Sequence, residues 1–138
     1  MSAEAARLAI VTQFDAALAA YPPPVPIAQY ENRNMVDTTL QQDPFVELDI
    51  KNISGRQLDL SNKPMTEQRG QIWITAFAKE GTGSRAAGLI LDYFLPWFEL
   101  KELGIVRTHS AFYFNAKPVN GWQPYPLLVP FWWIRVAA

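Results

Sequence analysis

The sequence predicts an α+β domain, a mostly antiparallel β-sheet with two α-helices packed on one face. Three observations predict it. The order along the chain is helix, strand, a pair of strands, helix, strand, strand. The paired strands alternate apolar and polar residues, as half-buried antiparallel strands do. The second helical stretch carries a broad apolar face that needs a sheet to cover it. At 138 residues the chain fits one domain, residues 1–138, and can bury roughly 68% of its unfolded surface.

Ser2 is a good N-cap, and Leu8, Val11, Phe14 and Leu18 recur at helical spacing, so the first helix spans about 3–20. The prolines at 22–24 and 26 make further helix impossible. "VPIAQYEN" then reads as a short strand at a sheet edge, where a missing N–H costs least. Residues 31–43 are polar, show no period and form a loop. In "PFVELDIKNI", Val46, Leu48 and Ile50 fall on one face and Glu47, Asp49 and Lys51 on the other. "SGRQ" and "SNKP" mark turns or a bulge before a second alternating run, "EQRGQIWITAFAK", at about 67–79. Together they make a long hairpin with its tip near Ser61 to Met65, and that tip projects, because Met65 is its one apolar residue.

"GTGSR" follows. Two glycines supply the turn, Ser84 caps a helix, and Ala86, Leu89, Ile90, Tyr93, Phe94 and Trp97 form its apolar face. Pro96 should end or kink that helix near its last turn. "GIVRTHSAFYFN" (104–115) and "LLVPFWWIRV" (127–136) read as two closing strands joined by the Pro-rich "AKPVNGWQPYP". In the last strand both alternating sets are apolar, so it is central or has its second face covered by another chain.

Composition narrows the function. Hydrophobic residues make up 49% of the chain and charged residues 18%, so the surface is short of charge and invites partners. A net charge of −1 argues against a protein that grips nucleic acid through its phosphates. With no cysteine, disulfides, thiolate nucleophiles and Cys-ligated metals are excluded. "MSAEAARLAI" lacks the basic start and apolar run of a signal peptide, and no stretch reaches the ~18 apolar residues of a membrane span. The expectation is a soluble protein made in the cytoplasm.

No enzyme can be assembled from the residues. "GTGSR" has neither the lysine nor the spacing of a P-loop, and Ala86 stands where a dinucleotide fingerprint needs glycine. Amides at that helix start, beside Arg85, can hold an anion, but a plain strand-to-helix turn is the simpler reading. His109 is the single histidine and reads as a sheet-face residue. Glu47 and Asp49 point the same way from one strand, a spacing that suits an acid/base pair or weak calcium site and usually gives a solvated face. The aromatics Trp73, Phe77, Phe112, Phe114, Trp122, Tyr125, Phe131, Trp132 and Trp133 could stack on single-stranded nucleic acid or sugar. Only Arg107 and Arg135 accompany them, so core packing plus a subunit interface accounts for them better. No catalytic, cofactor or metal residue is assigned.

The helix, "PIAQYENRNM", the strand "PFVELDI", the unit "RGQIWITAFAKEGTGSRAAGLILDYF" and two closing strands resemble the tail terminator proteins of long-tailed bacteriophages. More narrowly, they are similar to a group of small phage-related domains of unknown function. The resemblance covers about residues 5–136, and its most specific piece is Gly70 to Phe94. It implies a ring of typically six copies at the head-proximal end of the tail tube, which stops tube growth and meets the neck of the filled head. The implied partners are further copies of the chain, the tail tube protein and a head–tail connector, with DNA only passing through the channel. The implied location is the virion, assembled in the host cytoplasm. Another neck ring protein is the nearest alternative. Asn62, Lys63, Pro64 and Met65 at the hairpin tip are expected to touch a neighbouring subunit or the tube. Trp132 and Trp133, in the over-apolar last strand, are expected to lie in an interface.

Overall fold

The computed structural model describes residues 3–30, 43–58 and 64–136. Ser2, the loop beyond Tyr30 and the hairpin residues Asn62 and Lys63 lie outside these. The elements are α1 (Ala3–Ala19), β1 (Ile27–Tyr30), β2 (Phe45–Gln57), β3 (Met65–Lys79), α2 (Arg85–Phe98), β4 (Glu102–Leu103), β5 (Val106–Thr108), β6 (Phe112–Tyr113) and β7 (Trp122–Val136). The strands form one sheet in the order β1-β2-β3-β7-β5-β4, with β6 also on β7. Among the described strands β1 and β2 run parallel and every other pair is antiparallel. This is the α+β architecture that the alternation predicts, with β1 at the expected edge.

Both helices pack on one face. Val46 and Leu48 of β2, Ile72, Ile74 and Ala76 of β3, and Leu127, Val129 and Phe131 of β7 are buried there with Ile10, Phe14, Leu91, Phe94 and Phe98 of the helices. Phe14 stacks on Phe94 at 5.0 Å and meets Tyr30 edge-on at 5.5 Å, so one ring joins α1, α2 and β1. Polar contacts fix the same junction: Tyr93 donates its hydroxyl to the Ala17 carbonyl at 2.6 Å, and Gln13 donates its amide to that of Trp97 at 2.7 Å.

The helix faces differ from the expected ones. In α1 the buried positions are Ala6, Ile10, Val11, Phe14 and Ala17, while Leu8 is exposed. Small residues let α1 approach closely, and a sequence reading that favours large apolar residues passes them over. In α2 the buried set is Ala87, Ile90, Leu91, Phe94 and Phe98, with Ala86 and Leu89 turned to solvent. Pro96 lies in the last turn of α2, which ends two residues later at Phe98, as expected of a proline near the helix end. An N–H is lost there, but the Glu99 amide still closes the last turn on Leu95 at 2.9 Å.

Two strand boundaries are also corrected. The 104–115 stretch is two short strands, β5 and β6, with His109 in the gap between them. The last strand begins at Trp122, five residues early, and runs through Pro124, Pro126 and Pro130. In an extended strand a residue's N–H and C=O point to the same neighbour, and alternate residues point to opposite ones. The Pro126 carbonyl accepts from the Phe114 amide (3.0 Å) and that of Pro130 from the His109 amide (2.9 Å). The three prolines share one parity, so their missing donors all fall on the β5/β6 side, where pairing is short. The long ladder to β3, from Met65↔Val136 to Lys79↔Trp122, loses none. Asn120 and Gly121, both at positive φ (50° and 80°), make the two-residue turn that launches the strand.

Candidate functional site

The β2–β3 hairpin and the end of β7 form a ribbon that outruns the helices. Residues 51–58 are exposed at every position, although β2 stays paired with β3 as far as Gln57↔Thr66. The expected bulge occurs where the register shifts between Asn52 and Ser54, and the "SGRQ" residues continue the strand instead of turning it. Ile53, at the shift, is 58% exposed, and Leu58, Met65 and Val136 are exposed around it. Gly70 sits at the base of this arm because a β-carbon there would lie 2.5 Å from both the Lys51 carbonyl oxygen and the Phe131 ring. The ring crosses the glycine and closes the core where the helices end. Arg56 and Arg69 both pair with Glu67, which holds its carboxyl below the usual range chiefly through the hydrogen bond from Arg69.

Of the expected contact residues, Pro64 and Met65 stand at the start of β3 on this arm, half-buried and exposed respectively. Trp132 is half-buried on the sheet face away from the helices, paired with Arg69 and Arg107. Trp133, 3% exposed, belongs to the core. That leaves Trp132, and not Trp133, with surface to offer.

The sheet face away from the helices carries Phe45, Trp73, Phe77, Trp122 and Trp132, whereas Tyr125 and Phe131 lie on the helix-covered face. Phe45 stacks on Phe77 at 4.7 Å and meets Trp122 edge-on at 4.9 Å, while Trp73 meets Phe114 at 5.7 Å. The Lys51 ammonium lies 4.5 Å over Trp73 and the Lys79 ammonium 4.5 Å over Trp122. These rings are engaged with one another and with cations, an arrangement that covers a sheet face more than it offers one for stacking. Glu47 and Asp49 share this face as expected. Glu47 accepts a hydrogen bond from Gln29 at 2.9 Å, and burial, with Asp49 beside it, pushes its carboxyl up. Among the described residues no three acidic or histidine side chains gather for a metal ion.

"GTGSR" is a turn, with Gly81 and Gly83 at φ 87° and 85° and Thr82 bonded back to Lys79. Ser84 holds the N-cap position of α2, but its side chain makes no capping hydrogen bond. His109 is exposed and enters the structure through its backbone, donating to Pro130 and accepting from Leu100.

A groove that sequence reasoning missed lies at the opposite end of β2 from the arm. The Pro-rich segment at 21–27 and the first turns of α2 enclose about 540 Å³, lined by Tyr21, Val25, Ile27, Leu89 and Tyr93 among others, with Asp43 the charged residue among the described lining residues. Tyr21 and Tyr93 meet edge-on at 4.4 Å on its floor, and burial raises the Tyr21 hydroxyl above its ordinary range. The sequence carried no signal for it, since the prolines and Leu89 are far apart in the chain and Leu89 reads as a core residue.

The molecule thus belongs to the class of antiparallel sheets backed by two helices on one face. Within that class it is similar to a solved structure whose name states no activity, ligand or partner, at a TM-score of 0.64 and 14% identity over 96% of each chain. That likeness shows the fold. No family model matches the chain, and no curated protein matches it.

Proposed function

We propose that this chain is a virion structural protein of the tail terminator type, forming a ring at the head-proximal end of a phage tail tube. There it stops tube growth and joins tail to head. The observation that supports this best is the arm: a strongly paired ribbon that carries Ile53, Leu58 and Met65 into solvent away from the core. A monomer gains nothing from that exposure, whereas a subunit that must grip identical neighbours does. The strand–turn–helix unit from Gly70 to Phe94, which carries the resemblance, supplies the other support. The role is structural and asks for no catalytic residue, cofactor or metal.

Negative-stain electron microscopy of the purified protein over a range of concentration and magnesium tests the proposal. Closed rings with an open centre, of six subunits, are the expected result. Addition of the protein to polymerising tail tubes should cap them at one end; tubes that grow past it unchanged would sink the reading. A location lower or higher in the neck would favour a stopper or head-completion ring. Replacing residues 62–65 by glycine and serine should leave the chain folded and weaken assembly. Tight, salt-dependent binding of single-stranded DNA would instead favour a nucleic-acid module on the aromatic face.

A further inference from the structure

We infer that two copies of this chain pair through β6, edge to edge and antiparallel, about a two-fold axis at Tyr113. The inference goes beyond the ring reading, because a two-fold contact joins two copies and extends no further. β6 lies on the side of the sheet away from β2, with β3 and β7 between them. Phe112 and Tyr113 stand opposite Leu128 and Leu127 of β7, and no described strand pairs their other side. The Phe114 amide bonds to the Pro126 carbonyl at 3.0 Å, so Phe112 and Phe114 turn their backbone groups to β7 while Tyr113 turns its N–H and C=O outward. Nearby outward groups are engaged: the Ala111 amide donates to the Glu99 carboxylate at 2.8 Å, and the His109 carbonyl accepts from the Leu100 amide at 3.3 Å. Among the described residues nothing bonds to the backbone donor and acceptor of Tyr113, which stand on an open edge.

The occupant follows from the symmetry of this edge. An unrelated extended segment needs a run of open groups, and here one residue supplies them. A two-fold axis uses that residue twice. The sequence Phe112-Tyr113-Phe114 also reads the same in both directions, so with Tyr113 opposite its own copy, Phe112 of each chain faces Phe114 of the other. Both rings lie on the sheet face away from the helices: Phe112 is opposite Leu128, whose neighbours Leu127 and Val129 are in the core, and Phe114 meets Trp73. They would form non-hydrogen-bonded pairs, the closer antiparallel spacing at ~4.5 Å between α-carbons, which favours aromatic contact. Phe112, Tyr113 and Phe114 are 46%, 53% and 51% exposed in the single chain. Leu100 is exposed on the same outer edge through its bond to His109, and its φ of 54° is one that leucine rarely adopts. Each ring leaves roughly 100 Å² to be covered, so the contact falls short of the ~800 Å² a side of a stable complex and makes a weak, reversible pair.

The cysteine-free sequence makes the test direct. Phe112→Cys and Phe114→Cys chains are prepared separately, mixed at about one millimolar and oxidised. Disulfide dimers of one variant with the other are expected, with little product from either alone, because 112 meets 114 and not itself. The chain carrying both substitutions should stop at a covalent dimer. A ladder of oligomers, equal product from the single variants, or no mixed dimer overturns the inference. As a check independent of cross-linking, sedimentation equilibrium of the unaltered chain should show a concentration-dependent dimer, which Phe112→Lys weakens at least about tenfold. Leu8→Lys, at an exposed apolar site on α1, should leave that dimer as it is. Equal loss in both variants, or an unaltered chain that stays monomeric, counts against the pairing. Phe112 is exposed in the single chain, so unchanged circular dichroism should accompany the loss. Rings in the microscope without mixed disulfide would keep the terminator reading and discard this contact. Mixed disulfide together with tail tubes that grow past the protein would keep the contact and discard the terminator.

Discussion

Gly70 and Thr108 show how single residues hold this sheet in place. A methyl group at 70 has nowhere to go, because one neighbour is backbone and the other a ring already packed in the core. Gly70→Ala should therefore destabilise by about 1–3 kcal/mol in denaturant titrations. Thr108 is buried, and its hydroxyl donates to the Phe98 carbonyl while accepting the Lys101 amide at 2.7 Å, which ties the end of α2 to β5. Thr108→Val leaves both groups without that partner and should cost about 1–3 kcal/mol. Tyr113 donates to Asp92 of α2 at 2.7 Å, and burial of the phenol, with this hydrogen bond and the Asp92 charge, pushes it up to about 12. Its folded value lies above the ordinary 10.0, so its contribution is whole below pH 10 and is lost as pH rises toward 12. Tyr113→Phe should flatten the stability profile over that window and lower stability modestly at neutral pH, where the hydrogen bond to Asp92 is lost. Residues like these were scarcely legible in the sequence, since Gly70 read only as a glycine entering a strand and Thr108 as a strand residue.

At the scale of elements, the sequence was most legible where alternation was strict. Val46, Leu48, Ile72 and Ile74 fall on the helix-covered face as their period predicts. It was least legible in α2, where apolar residues surround most of the helix and several faces compete. The structure selects Leu91 and leaves Leu89 in solvent, so Leu91→Ala should cost about 2–5 kcal/mol and Leu89→Ala less than about 0.5. Thermal melts of the two variants would separate the faces cleanly. Gly88 lies in the same helix with open space where a β-carbon would be, and Gly88→Ala should stabilise by about 0.5–1 kcal/mol. The late placement of β7 came from treating its prolines as breakers, when parity decides whether a proline interrupts the ladder that matters. "NG" at 120–121 carried the missed signal.

For the whole molecule, the sequence led to the expectation of a partner surface but did not locate one. The excess of apolar residues in the last strand was real, yet Trp133 is spent on the core, and exposed apolar residues appear on the arm, at the groove and at Phe112, Tyr113, Phe114 and Val119. Those surfaces arise from topology: β2 outlasts the helix layer at one end, and the chain folds prolines against α2 at the other. No local pattern reveals that. Ile53→Asp separates the two levels, since it should leave the unfolding free energy of the monomer within about 0.5 kcal/mol while abolishing the rings proposed above.

The one-sided prolines of β7 also give the sheet a grain. One long edge of that strand is stitched to β3 along its whole length, and the other is tacked at a few points to short strands. A seam of this kind yields before the fabric does. Amide hydrogens of β3 that bond to β7 should outlast those of His109 and Phe114 in deuterium exchange, and a subunit under load should part along β5 and β6 while the arm and its ladder stay whole.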